Sequence, residues 1–341
     1  MDISRIDQLK QWISTQEFDA LFVDDPVDLF YLTGLHFSLG KMVVSAKGAC
    51  LFVDGRYIES ARKCVCCEIQ LPSAIKKWIE PYKKISFDSA FVTFADYQGM
   101  KKKFEDKEWI AILKPLKKLR MIKDEGEIRA LKKAAKLTRD GCQYIISLLK
   151  EGVSEEALSL EFEWFCRKRG ASKLSFEPIV AFGENSAYPH HRAGKTLLQK
   201  NQIVLIDVGV VVDSYAGDMT RVTFFGTPPI QLEKDYELIQ MVQKKVISHI
   251  APGVRFGDLD KLARQELEKH GCANLFTHGL SHGIGLDVHE YPKLRLGEGD
   301  EDLLLEPGMT FTVEPGIYRI GVGGVRYEDV ILVTKTGHET L

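Results

Sequence analysis

The first third of the chain alternates short apolar runs with charged stretches of helical character. The apolar runs fall at residues 20–23, 42–44 and 49–53, and their length and spacing predict strands in an α/β domain. The pattern breaks at 114–118, where Pro115 interrupts regular structure and marks a crossing point. A long helix opens near Lys123 and runs over 125–150. Further on, 201–209 reads as a buried strand, 212–214 as a turn and 216–225 as the return strand. The same construction recurs with 309–314, a glycine-rich turn at 321–324, and 325–333. The expected fold class is α+β, with domains at 1–118 and 119–341.

The second domain carries an internal duplication. Gly152-Val153-Ser154, Leu158 and Gly170-Ala171 match Gly253-Val254-Arg255, Leu259 and Gly271-Cys272 at a constant offset of 101 residues (253 against 152). Each match opens a helix after a glycine-containing turn and ends it at a glycine in a C′ position. A preceding helix fits each copy, 125–150 in the first and 232–250 in the second, and each helix pair leads to one of the hairpins. The domain is therefore expected to be two related helix-helix-hairpin halves.

Acidic residues sit at matching places in those hairpins. The midpoint between Asp207 and Asp218 lies in the first turn, and that between Glu314 and Glu328 lies in the second, so each pair is expected to face across its hairpin about 5 Å apart. Two unpaired carboxylates that close repel each other, and a cation removes the conflict. One such pair reads as strand ends facing solvent; two pairs in matching hairpins, each within an apolar strand, read as a metal site. Residues 277–292 add His278, His282 and His289 around glycines at 279, 283 and 285, which let the backbone approach closely. His282 and His289 are an odd number of residues apart, so in an extended segment they face opposite ways; His282 is assigned to the metal and His289 to substrate. Four carboxylates and one imidazole suit divalent Mn²⁺, Co²⁺ or Zn²⁺. That charge is excessive for one ion and appropriate for two sharing bridging carboxylates, which points to a hydrolase.

Composition narrows the remaining classes. With 341 residues and 45% hydrophobic content the chain has material for packed cores, and a net charge of −2 gives no footprint for nucleic acid. The run Lys101-Lys102-Lys103 reads as a solvated face. Seven cysteines, with Cys64, Cys66 and Cys67 clustered, fit reduced thiols in a cytoplasmic protein better than a zinc spacing. No stretch of about 18 apolar residues suggests a membrane span, and residues 1–12 lack an apolar targeting core.

These motifs resemble those of the pita-bread metallopeptidases, a group that includes methionine aminopeptidase, aminopeptidase P and prolidase. The likeness covers nearly the whole chain. Gly324-Val325-Arg326-Tyr327-Glu328-Asp329 and Asn185-Ser186-Ala187-Tyr188-Pro189-His190 are similar to the Xaa-Pro peptidase branch, and Tyr31-Leu32-Thr33-Gly34 and 51–57 resemble its creatinase-like N-terminal domain. Creatinase shares the fold without this ligand set, and all five ligands are present here.

The resemblance implies cleavage of the peptide bond before proline in a proline-containing peptide, with two divalent ions, Mn²⁺ first and Co²⁺ or Zn²⁺ as alternatives. It assigns Asp218 and Glu328 as bridging ligands, Asp207 to one ion, and His282 with Glu314 to the other. Glu314 is also expected to carry the proton from water to the leaving nitrogen, and His190 and His289 to hydrogen-bond the substrate carbonyl. His191 reads as a surface histidine. Arg326 either orients the carboxylates or forms an ordinary buried ion pair, and Tyr188 and Tyr291 either line the pocket or pack as aromatics. Lys293 and Arg295 are candidate clamps for a substrate carboxylate. A lysine at 293, where the family pattern often has arginine, favours an Xaa-Pro aminopeptidase over a dipeptidase. A homodimer is expected. The alternative from another class is a metal-free binding protein on the same fold.

Overall fold

The computed structural model describes residues 4–294 and 300–341. The chain falls into two compact units, Met1–Arg120 and Met121–Leu341. Among the described residues, the first unit is built on a six-stranded sheet in the order Glu68–Gln70, Gly48–Val53, Gly40–Ser45, Ala20–Val23, Lys84–Asp88, Glu108–Ile112. Ala20–Val23 runs antiparallel to Gly40–Ser45 and parallel to Lys84–Asp88. Its four residues are all buried, which is why this strand reads as a continuous apolar run instead of an alternating one. Phe22, Phe52, Ile79 and Ile85 form the centre of this core. Lys101, Lys102 and Lys103 occupy the exposed last turn of the helix Phe94–Lys103, where positive charge complements the helix dipole.

The second unit contains two helix pairs, Glu125–Ser147 with Glu155–Arg167 and Ile230–Ser248 with Phe256–Lys269. The first long helix starts at a capping box. Asp124 accepts from the Glu127 backbone, and the Glu127 side chain accepts from the Asp124 backbone. Its buried residues, among them Leu131, Ala134, Thr138 and Cys142, follow helical spacing and face the sheets. The duplication extends to backbone conformation: Gly152 and Gly253 have φ of 82° and 84°. The helix ends differ slightly. Gly271 follows the C-cap His270 directly, at the expected C′ position, whereas Gly170 lies two residues beyond the C-cap Lys168.

Each helix pair leads to a hairpin. In the first, Gln202–Val208 pairs with Met219–Phe225 and, on its other edge, with Ile179–Phe182. The turn is where the sequence places it, but the register is shifted. Val212 still pairs with Tyr215, so the turn residues are Asp213 and Ser214, both at positive φ. Asp207 therefore faces Thr220, not Asp218 as expected, and Asp218 is its diagonal neighbour. In the second hairpin Thr310–Val313 pairs with Asp329–Val333, and Gly316–Arg319 with Gly323–Arg326. The pairs Val313 with Asp329 and Gly316 with Arg326 flank Glu314 and Glu328 in one continuous register, which sets these two opposite each other.

Backbone crowding fixes the first hairpin against the long helix. A Cβ at Gly209 would overlap the Gly217 carbonyl, and one at Gly217 would meet Thr138 Oγ1 at 2.5 Å. Thr138 Oγ1 in turn accepts from the Val210 amide. Gly209→Ala should therefore destabilise the protein by about 1–3 kcal/mol through forced backbone displacement. A lowered urea midpoint at unchanged slope tests this, and an unchanged midpoint would show that the crossing has room to relax.

Candidate metal centre

The strand ends of the two hairpins and the strand Ser281–Gly283 bring Asp207, Asp218, His282, Glu314 and Glu328 to the wall of one cavity of about 500 Å³. Ligand atoms of Asp218, His282 and Glu328 lie within 4.8 Å of one another. His282 Nε2 is 3.6 Å from Asp218 Oδ2 and 3.5 Å from Glu314 Oε1. His282 lies in the strand Ser281–Gly283, and its Nδ1 is 3.1 Å from the Gly283 carbonyl. That carbonyl only accepts, so Nδ1 carries the proton and the Nε2 lone pair points at the carboxylates, as a metal ligand requires. Burial first, and then His289, lower the His282 pKa to about 3, which keeps the ring neutral.

Arg326 organises the carboxylate side. Its Nη2 donates to Asp207 Oδ2 at 2.6 Å, Nε to Thr220 Oγ1 at 3.0 Å and Nη1 to the Tyr318 hydroxyl at 2.8 Å. Thr220 Oγ1 donates to Glu328 Oε2 at 2.6 Å. The other oxygen of Asp207, Oδ1, is buried without a hydrogen-bond partner. A buried orphan acceptor is costly unless something else satisfies it. Together with a neutral imidazole and three further carboxylates, this is a donor set that fits divalent cations.

Electrostatics point the same way. Burial, then Glu328 and Asp207, push the Asp218 carboxyl well above its ordinary range. Glu314 is raised by burial and by Glu328, and Glu328 is raised to about 8 by burial and by Asp207. Without a cation these groups resist ionisation.

The other expected residues divide. His190, His289 and Lys293 line the cavity and are exposed to it. The His282 and His289 rings meet at 4.2 Å in an edge-to-face contact instead of pointing apart. The two rings meet because the chain is irregular between the strands Ser281–Gly283 and Glu290–Leu294 and folds back on itself, so the alternation of an extended segment does not apply. His191 is no surface histidine: its Nε2 lies 2.9 Å from the buried Glu155 carboxylate. Tyr188 is 52% exposed and outside the cavity lining, and Tyr291 packs against the main hydrophobic cluster. Arg295 lies outside the described residues. Cys66 and Cys67 are free thiols, and the Cys64 side chain is outside the described set.

Thr220, Tyr318 and His278 also bond within this network, contacts not expected from the sequence. Thr220 was within reach, since strand alternation puts it on the face of Asp218 two residues earlier. His278 Nε2 accepts from the Tyr318 hydroxyl at 2.8 Å while Nδ1 donates to the Gly279 carbonyl. That contact spans 40 residues and leaves no local signal.

Two duplicated halves that pool acidic hairpins around a metal-ligand set define a pita-bread metallopeptidase. Residues 129–335 match metallopeptidase family M24, and residues 5–122 match the creatinase/prolidase N-terminal domain. The chain is 31% identical over 344 residues to a Xaa-Pro dipeptidase of Pyrococcus furiosus, covering 99% of this chain and 97% of that protein. A solved Xaa-Pro dipeptidase from Bacillus anthracis superposes with a TM-score of 0.94 at 34% identity, over 98% of this chain and 96% of that one. An X-Pro aminopeptidase from Thermotoga maritima gives 0.89 at 28% identity, over 98% and 97%. The chain belongs to metallopeptidase family M24 and is a peptidase.

The raised Glu328 carboxyl gives a prediction for metal-stripped protein. A folded-state pKa of about 8, against an ordinary value of 4.5, means that the folded state holds a proton the unfolded state has lost. Stability is therefore fully present below the ordinary pKa and is lost as pH rises toward 8. Divalent metal should remove this dependence and raise Tm. Thermal scans at several pH values, with and without Mn²⁺, test it; a metal-free Tm that rises from pH 5 to 8 would contradict it.

Proposed function

We propose that the chain hydrolyses the peptide bond preceding proline, using two divalent ions held by Asp207, Asp218, His282, Glu314 and Glu328. The observation that carries this reading is the orphan oxygen of Asp207 in the wall of the cavity that the clustered Asp218, His282 and Glu328 also line. The similarity to Xaa-Pro dipeptidases and an X-Pro aminopeptidase supports the substrate class. Asp218 and Glu328 are taken as the bridging ligands. Mn²⁺ is the favoured metal, with Co²⁺ or Zn²⁺ as alternatives. A cytoplasmic homodimer belongs to the same reading and rests on the family resemblance and the free thiols.

When bound, the ions would supply Lewis acidity and activate water near neutral pH. Glu314 takes the proton released by the attacking water and gives it to the proline nitrogen, which leaves only once protonated. His190 and His289 donate hydrogen bonds to the carbonyl oxygen as it gains negative charge. Arg326 and Thr220 fix Asp207 and Glu328, so these carboxylates do not reorient during turnover.

On substrate length, we favour dipeptides over the longer peptides expected from Lys293. Two of the similar proteins named above are dipeptidases. Arg192 and Lys293 both line the cavity, and a free substrate carboxylate is the group they suit. A second reading, cleavage of longer peptides, is favoured by Lys293 being a weaker bidentate partner than arginine. Comparing kcat/KM on a Xaa-Pro dipeptide with that on the matching Xaa-Pro-Yaa tripeptide decides between them.

Chelation should abolish hydrolysis, and Mn²⁺ or Co²⁺ should restore it; full activity after exhaustive metal removal would instead fit chemistry independent of this centre. His190→Ala and His289→Ala should keep their metal and lose about 10²–10³ in rate, the usual effect of removing one oxyanion donor. His282→Ala should lose metal and activity together. Metal analysis beside steady-state kinetics reads all three, and an emptied site in His289→Ala with a full one in His282→Ala would reverse the assignment.

A further inference from the structure

The helix Glu155–Arg167 begins with a carboxylate that is completely buried. Glu155 follows the N-cap Ser154, a place where negative charge suits the helix dipole. All of its acceptor capacity is directed at one distant segment. Oε1 accepts from the Phe182 amide and from Asn185 Nδ2, both at 2.9 Å. Oε2 accepts from the Gly194 amide at 3.1 Å and from His191 Nε2 at 2.9 Å. Four donors occupy the four lone-pair sites that only a carboxylate offers. Local bonds close the loop between them: Tyr188 N donates to Asn185 O, and His191 N donates to Tyr188 O. Beyond it, Glu156 N bonds Gly194 O, and Leu198 N bonds Val153 O.

His190 lies inside this loop, one residue from the tethered His191, and its ring is exposed at the cavity wall. An exposed side chain on an irregular segment has little packing of its own to orient it. We infer that Glu155, with His191 as its tether, is the positioning residue that sets His190 against the substrate carbonyl. This inference rests on the Xaa-Pro reading above. It also gives a physical reason for the paired histidines: both line the cavity, but the His191 ring is held by Glu155 and anchors the turn, while the His190 ring is exposed there. A carboxamide at 155 would turn an NH₂ group toward donors, leaving buried amides unsatisfied.

The test is a double-mutant cycle on the metal-loaded protein with a Xaa-Pro dipeptide as substrate. His191→Ala and, as the stronger variant, Glu155→Gln are each made alone and combined with His190→Ala. Metal content is measured throughout, and hydrogen exchange is followed over 182–194. Each single variant should keep its metal and lose about ten- to a hundredfold in kcat/KM, the scale expected for a misplaced group near the chemistry. In the His190→Ala background the same substitutions should cost nothing further, because the group they position is already gone. His191→Gln, which restores a donor, should recover part of the loss. Effects that multiply fully onto His190→Ala would overturn the proposal and leave Glu155 a general structural residue. If the wild-type protein cleaves no Xaa-Pro substrate, the functional reading has failed, and exchange decides separately on the tether. Faster exchange over 182–194 in His191→Ala with unchanged metal content supports it, and unchanged exchange refutes it.

Discussion

Repulsion among four carboxylates crowded into one cavity wall is the constraint around which the second unit is arranged. At an effective dielectric near 20, two like charges about 4 Å apart repel by about 4 kcal/mol. Arg326 relieves part of this by bonding Asp207 through Nη2, while its Nε and Nη1 donate to Thr220 and Tyr318. Asp218, Glu314 and Glu328 keep raised pKa values despite it. A fold that holds such a cluster in place stores an unfavourable interaction that divalent cations convert into a favourable one.

The duplication explains how one chain assembles this cluster. Each half contributes a hairpin with acids at its strand ends, and each hairpin is backed by its own helix pair. The halves differ in what they bring to the cavity. The first half supplies the Asp207 and Asp218 side and, through Glu155, the loop bearing His190. The second supplies Glu314 and Glu328, and its strand Ser281–Gly283 carries His282, with His289 just before the strand Glu290–Leu294. The Arg326 and Thr220 contacts join the two, so carboxylates from both halves are held by one hydrogen-bond network.

Much of this was legible in the sequence because the strands are continuous apolar runs and the turns carry their own residue signals. The second hairpin reads correctly since its glycine turn lies symmetrically between Glu314 and Glu328. The first is misread because Val212, apolar, extends the ladder past the apparent turn and shifts the register at Asp207. The parity rule applied to His282 and His289 assumed an extended segment that the chain does not form there. The anchoring of His191 was out of reach for a different reason. Its partner Glu155 lies 36 residues upstream and looks like an ordinary acidic residue in a first helical turn. Local pattern reveals which residues form elements, whereas contacts between elements depend on tertiary packing that no short window contains.

The most direct measurement of the central claim is anomalous diffraction from crystals of the protein loaded with Mn²⁺. Two peaks are expected, with Asp218 and Glu328 each contacting both ions, Asp207 contacting one, and His282 with Glu314 the other. A single peak, or peaks away from these five residues, would contradict it.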